Sequence, residues 1–373
     1  DGKIYGTKTS EYPLTTLPTG EVEADLQLYI NAFTQSIKGA VEDAKVDVAD
    51  IKCVGFSSTA ETCVFLDKYN EPLCKVIAWM DTRATKEAEY LTAHFDKKDI
   101  INKVGFDGIY AIHPVSKILA VKNKNPEIFE KTRMFAQIKD YFIYRLTGEY
   151  YTDHSTASDH GFFDITNRCY WNEMLEFTGI KEEYLPKLVE PGTELGTISR
   201  EAALEFGLDP ETKINVGAFD QGCGAIGAGN TKPGIASEST GSALVTVATI
   251  DALNPDSQGD VPTLCSGIPG KYMYQPYCTG SIIMKWYRDI FCEAEKMVEE
   301  QTGLNAYTQM DEMVKATPAG ADGLIMLPYF QGSGIPELNE KAEGVYYGIN
   351  AGHTRGHFIR AIMEGLAIAL KRM

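Results

Sequence analysis

The chain has 373 residues, 44% apolar and 23% charged, ordinary proportions for a globular protein and too long for one hydrophobic core, so two domains are expected. Its formal net charge of -17 argues against the basic face that nucleic acid or an anionic membrane would require, and no apolar run approaches the roughly 18 residues of a membrane span. The eight cysteines are scattered without a C-x-x-C pair, which predicts free thiols in a reducing, cytoplasmic compartment.

In chain order, Asp1-Gly2-Lys3 reads as a tight turn whose partner strands would be Ile4–Tyr12 and a segment upstream of residue 1. From Ala24, the residues Ile30, Phe33, Ile37, Val41 and Ala44 recur at helical spacing and predict one amphipathic helix. Ile51–Phe56 is a buried strand candidate. The polar segment Ser57-Ser58-Thr59-Ala60-Glu61-Thr62 interrupts it, and Val64–Asp67 resumes extended structure before a turn at Tyr69-Asn70-Glu71-Pro72. Cys53, Cys63 and Cys74 in this region are read as small buried hydrophobes. A strand over Val76–Arg83 ends in Trp79-x-Asp81-x-Arg83. Asp81 and Arg83 form either a structural ion pair or a substrate contact.

Residues 84–95 and Pro114–Lys124 are predicted helices, the second enclosing Lys117. Phe135–Leu146 is predicted as an amphipathic helix stopped at Gly148. His113, His154 and His160 are unclustered in sequence.

Lys213–Phe219 has the pattern of a buried strand. It ends on Asp220-Gln221 and a glycine-dense segment, and a second strand, Ile235–Thr249, is broken by Ser239-Thr240-Gly241-Ser242. In one reading Asp220 is a helix N-cap, although Cys223 stands where a capping box needs Glu or Gln. In a second, Gly222, Gly224 and Gly227 form a dinucleotide fingerprint with Glu238 on the ribose. This one fails on length. The segment before Lys232-Pro233-Gly234 allows about two helical turns, whereas a parallel crossover needs a dozen or more residues. In the third, a carboxylate at a strand end takes a proton from a substrate hydroxyl and the Thr240 patch faces phosphates.

Further on, Ser281–Glu300 is a predicted helix and Leu327–Phe330 a turn. Gly344-Val345-Tyr346-Tyr347-Gly348-Ile349 is followed by His357-Phe358-Ile359-Arg360-Ala361-Ile362-Met363-Glu364. His353 and His357 stand four apart on one predicted helix face. Without a third ligand they are read as packing or capping residues rather than a metal site.

The Gly344–Glu364 pattern resembles the second signature of the FGGY family of carbohydrate kinases at every position. Pro114, Lys117, Ile118, Val121 and Asn123 resemble part of its first signature. Leu146-Thr147-Gly148, Thr152-Asp153, Ala157-Ser158, Leu185-Pro186 and Gly192–Ile198 are similar to its scaffold segments.

The resemblance implies an α/β, two-domain actin-like ATPase (ribonuclease H-like) fold with the second domain truncated. The sugar-binding domain would occupy residues 1–229 and the nucleotide-binding domain residues 230–373. It implies ATP-dependent phosphorylation of a sugar, ketose or polyol with Mg2+, no nucleic-acid or membrane partner, and compatibility with a homodimer.

By the same resemblance Asp220 is the base. Thr59, Ala60, Glu61, Asp220 and Gln221 contact the acceptor, and Thr240, Gly241 and Gly280 contact the nucleotide, with no metal ligand assigned. Glycerol kinases read Arg-Glu-Thr and xylulokinases Met-His-Gly where this chain reads Ala60-Glu61-Thr62. Glu61 falls on the glycerol-kinase glutamate and Ala60 replaces its arginine. Ser239 stands where the family has glycine. These two departures support an alternative, a catalytically silent sugar-binding relative. The family's N-terminal phosphate hairpin and C-terminal adenine-binding loop are expected outside this sequence.

Overall fold

The computed structural model describes residues 2–241, 243–254, 259, 261–330, 332, 333, 339 and 341–373. Asp1 and Ser242, parts of the turn and the hydroxyl patch read from sequence, lie outside them. The chain forms two compact units. The first holds residues up to 227 together with 249–273, and the second holds 228–248 and 274–373.

In the first unit an antiparallel sheet runs in the order Thr15–Thr16, Val22–Ala24, Val76–Ile77, Cys63–Leu66, Met134–Gln137. Two helices, Leu26–Ala44 and Ile138–Thr147, pack on it. Their apolar stripes meet the sheet's inner face, so Leu26, Tyr29, Tyr141 and Phe142 bury against Val64, Leu66, Val76 and Ala136. Phe33 stacks on Phe142 with ring centroids 4.0 Å apart, ties the helices together and also packs on the cluster around Phe206 and Ile214.

A second, three-stranded sheet contains the elements that position the site. Lys213–Phe219 is its central strand, antiparallel to Glu194–Thr197 and parallel to Cys53–Ser58. The parallel pairing aligns Ala218 with Ser57 and Phe219 with Ser58, after a register shift between Asn215 and Ala218. Gly217 allows that shift. Its φ is 67°, and a side chain there would overlap the Phe56 backbone.

Several predicted elements differ in detail. Ile4–Tyr12 is not a strand. It runs along the Leu26–Ala44 helix, from its C-terminal end, where Thr7 N bonds Asp43 Oδ2 at 2.8 Å and Gly6 lies against the Ala40 and Ala44 backbone, to Tyr29 in its first turns, whose ring lies 4.4 Å from that of Tyr12. Phe135–Gln137 belongs to a strand, and the helix begins at Ile138 because Gln137 and Asp140 close a capping box there. The predicted strand Val76–Arg83 keeps only Val76–Ile77. Ser281–Glu300 is two helices, Ile282–Phe291 and Glu293–Thr302, broken at Cys292 with φ -117° and ψ 45°. All eight cysteines are free, and of the three read as buried only Cys63 is; Cys74 is partly exposed and Cys53 exposed.

Residues 249–273 pack within the first unit through Thr263 N to Gly105 O at 2.9 Å, Cys265 N to Ser158 Oγ at 3.0 Å and an apolar cluster of Ala157, Phe163, Ile165 and Cys265.

The second unit centres on Ile283, Tyr287, Met310, Met326, Ile359, Ile362 and Leu366. The signature segment supplies a strand, Val345–Tyr347, paired with Ile325–Leu327, and the helix Arg355–Arg372. His353 precedes that helix rather than sharing its face. His357 closes its capping box with Thr354, and its Nε2 lies 3.0 Å from Asp322 Oδ2, so its role is capping.

Candidate active site

The site residues in the first unit come from neighbouring strand ends. Because Cys53–Ser58 and Lys213–Phe219 run parallel and in register at their ends, the Thr59-Ala60-Glu61 loop and Asp220 leave the sheet side by side. Carboxyl ends of parallel strands are where α/β sheets hold ligands.

Asp220 opens an eight-residue helix, Asp220–Gly227. Its position is fixed from behind. Phe219 N donates to Ser155 Oγ at 3.0 Å, and that hydroxyl donates to the Asp153 carboxylate, which is paired with the buried Lys139 ammonium. Asp153 also caps the short helix His154–Ala157 by accepting from the Ser155 and Thr156 amides. The Asp220 carboxyl is half-buried and accepts from the Gln221 amide. Burial pushes it above the ordinary aspartate range, which strengthens it as a base while leaving it at a helix start that favours its charge. Gln221 is likewise half-buried.

Glu61 is buried, 7% exposed. Its Oε2 accepts from Ala60 N at 3.0 Å. Ala60 is fully buried, so its part is to turn the loop and hold the Glu61 carboxyl. Thr59 and Thr62 share a hydroxyl contact at 3.2 Å.

Beneath the loop lies the helix Pro114–Lys124, buried at every position from Pro114 to Val121. Proline at its first position suits the free end of a helix. Lys117 Nζ reaches out of it to Glu61 O, Ala78 O and Trp79 O at 2.8, 2.9 and 3.0 Å. Three carbonyls use all three ammonium protons. Burial lowers the Lys117 pKa, with nearby acids opposing.

The ambiguity at Asp81 and Arg83 resolves as an ion pair. The guanidinium grips Asp81 and reaches Glu23 at 3.0 Å, and Asp81 also accepts from Val22 N at 2.5 Å. Asp81 has no exposed surface, so the pair pins one strand to a turn.

Three residues that the sequence left apart join this group. His160 O accepts from Val115 N at 3.0 Å, which stitches the Asp159–Gly161 loop to the start of the Pro114 helix. Asp159 then hydrogen-bonds to Glu61, and His113 Nε2 lies 3.4 Å from Asp159 Oδ1. Burial, then Asp159, raises Glu61 well above the usual carboxyl range. Burial raises Asp159 to about 6, with Asp220 adding to the rise. Burial drops His113 to about 4 and His160 to about 3, so both rings are neutral near pH 7. From Thr152 to His160 only Ala157 is apolar, yet the structure buries every position, so this polar run carried no sequence signal of its burial.

In the second unit, Ala236–Thr240 and Ala243–Ile250 form an antiparallel hairpin pairing Thr240 with Leu244, which places Thr240 and Gly241 at its tip. Thr240 Oγ1 bonds Glu238 Oε2 at 2.6 Å. Gly241 O accepts from Ser281 N at 2.9 Å. Gly280 packs so closely on the Ala243–Leu244 backbone that a side chain would not fit. Among the described residues no three His, Cys, Asp or Glu gather as a metal site.

Compared with known proteins, residues 1–227 match the N-terminal domain of the FGGY family of carbohydrate kinases and residues 254–373 its C-terminal domain. The chain belongs to the FGGY family. It is 29% identical to the xylulose kinase of Bacillus subtilis over 99% of this chain and 72% of that protein. It is also 29% identical to a gluconokinase of the same organism over 85% of this chain and 61% of that protein. Among solved structures, a gluconate kinase of Lactobacillus acidophilus superposes with a TM-score of 0.84 at 26% identity, covering 97% of this chain and 71% of that one. A ligand-bound xylulose kinase of the same species gives 0.84 at 25%, with the same coverage. The FGGY chain therefore has the two-domain α/β kinase fold and spans between about three fifths and three quarters of these relatives. No helix among the described residues is long and apolar enough to cross a membrane.

Proposed function

We propose that this FGGY protein transfers the γ-phosphate of ATP to a hydroxyl of a sugar, a ketose such as xylulose, or a polyol. Asp220 is the general base. Thr59, Glu61 and Gln221 form the acceptor site, with the buried Ala60 shaping its loop rather than touching the acceptor, and Thr240, Gly241 and Gly280 belong to the nucleotide site. The observation that carries this reading is the parallel register of Ser58 with Phe219, which supports a proton acceptor and a polyol-binding loop acting on one ligand.

The chemistry asks for little more. A sugar hydroxyl stays protonated near neutral pH, and phosphoryl transfer through a loose transition state needs alignment, charge neutralisation and a proton acceptor. A rigid strand end, backed by the Ser155–Asp153–Lys139 network, holds the acceptor still. Mg2+, when bound, neutralises phosphate charge and needs only one or two protein carboxylates. The half-buried Asp220, with a single amide on its carboxyl, fits such a shared duty.

Asp220→Asn is expected to keep sugar affinity within about threefold while kcat falls by about 10²–10⁴. Coupled-enzyme kinetics on a sugar panel with ATP checks this. An unchanged kcat would remove the base assignment. Sugar binding by the wild type without any ATP-dependent product would favour the silent relative, a reading that Ala60 and Ser239 support.

A further inference from the structure

The relatives include kinases named for xylulose and kinases named for gluconate, and the buried group beside Glu61 bears on that choice. Asp159 is 5% exposed. Its Oδ1 is buried without a hydrogen-bond partner, as is His113 Nε2 3.4 Å away. His113 Nδ1 accepts from Tyr110 N at 3.2 Å, so the proton of the neutral ring is on Nε2, on the side of Asp159. The other Asp159 contact is the Glu61 carboxyl. Two carboxyls in hydrogen-bond contact cannot both ionise, so the pair holds one proton and one negative charge.

The nearby cations are already engaged. Lys117 spends its three protons on carbonyls, Arg83 is closed on Asp81 and Glu23, and Lys139 on Asp153 and Thr156. A ligand carboxylate brought to Glu61 would meet the charge of the pair and that of Asp220 with no counter-ion from these groups. A hydroxyl would meet an acceptor held in place by Ala60 N.

We propose that Glu61 and Asp159, as a buried pair sharing one negative charge, commit the acceptor site to an uncharged polyol or ketose and against a sugar acid. This rests on the reading of Glu61 as an acceptor-site residue. Asp159 acts on the ligand through Glu61, the member of the pair on the loop read as the acceptor site. Because the charge belongs to the pair, either member alone sustains the discrimination.

The test is calorimetric binding of xylulose, xylitol and gluconate to the purified chain, with Glu61→Gln, Asp159→Asn and the double variant, alongside ATP-dependent turnover. The wild type is expected to bind a neutral ligand at least about tenfold tighter than gluconate. Each single variant still carries one carboxylate and keeps that ratio within about threefold, while the double variant lowers it by about tenfold or more. A structural role for Asp159 would weaken all ligands equally and leave the ratio unchanged in the double variant, overturning the proposal. Loss of the ratio in Glu61→Gln alone would put the charge on Glu61 and also overturn it. If the double variant does not fold, the wild-type ratio and Glu61→Gln still decide. Tight gluconate binding with Asp220-dependent turnover would sink this inference and leave the kinase reading standing. Failure to bind any sugar would remove both.

Discussion

At the residue scale, the first unit buries several ionisable groups, and those whose pKa burial shifts carry a pH signature. Asp140 is the simplest. Its Oδ2 accepts from Gln137 N at 2.8 Å, and burial pushes its pKa up to about 7 against the attraction of Lys139. A carboxyl raised in the folded state holds its proton more tightly there than in the unfolded chain. Its contribution is therefore full below pH ~4 and is lost as pH rises towards about 7. Asp140→Asn keeps an acceptor for the Gln137 amide and removes that loss. The variant should gain stability relative to wild type between pH ~4 and 7, by a few kcal/mol at most and level thereafter. Urea midpoints at pH 4, 5.5, 7 and 8 check it, and a gap that shrinks with pH contradicts it. His113 and His160 act with the opposite sign. Burial depresses both, so their contribution is present above pH ~6.5 and lost as pH falls towards their folded values.

At the element scale, the placement of Asp220 depends on one irregularity in one strand. The register shift before Ala218 acts like a bulge, and bulges re-aim the side chains that follow them. Gly217 makes it possible through a positive φ and a close approach to the Phe56 carbonyl. Its N–H is taken by Asn215 Oδ1 at 2.8 Å and its carbonyl by Gly192 N at 3.0 Å, so the backbone cannot relax freely around an added methyl. Gly217→Ala should cost about 3 kcal/mol or more. If Asp220 is the base, as proposed, it should also lower kcat more than sugar affinity, because it displaces Asp220 rather than the loop. Chemical denaturation with an unchanged m-value, set beside kinetics, separates the two effects. Alanine tolerated without loss would show that the shift is not enforced here.

At the scale of the whole molecule, the first unit is discontinuous in sequence. Residues 249–273 return to it after the hairpin tip that belongs to the second unit. They cover Ala157, Phe163 and Ile165 and bond to Gly105 and Ser158, next to the short helix His154–Ala157 that Asp153 caps. A chain ending at residue 227 would leave that apolar surface and the end of the His154–Ala157 helix exposed. Expressed alone, residues 1–227 should lack a cooperative urea transition, whereas residues 1–227 joined by a short flexible linker to 249–273 should regain one. Near-UV circular dichroism through the transition reports the difference. A sharp transition for 1–227 alone would make the returning segment dispensable.

How much of this was legible beforehand depends on the range of the interaction. Local signals were enough for Pro114–Lys124, for the strand ending at Phe219 and for the break at the Thr240 tip, because proline, glycine and apolar spacing act over a few residues. They misplaced the start of the Ile138 helix, where a capping box between Gln137 and Asp140 stops a strand that shares the same apolar pattern. They also split no helix at Cys292, since nothing in the apolar period changes there. The sequence by itself determined the family, the two-domain class and the candidate carboxylates Glu61 and Asp220, because motif spacing survives in one dimension. Only the tertiary structure decided that Asp159 and His113 stand behind Glu61, that Arg83 is spent on Asp81, and that 249–273 belongs with the first unit. Those outcomes come from groups far apart in the chain that must find partners once buried, and hydrogen bonding and desolvation between them leave no periodicity to read.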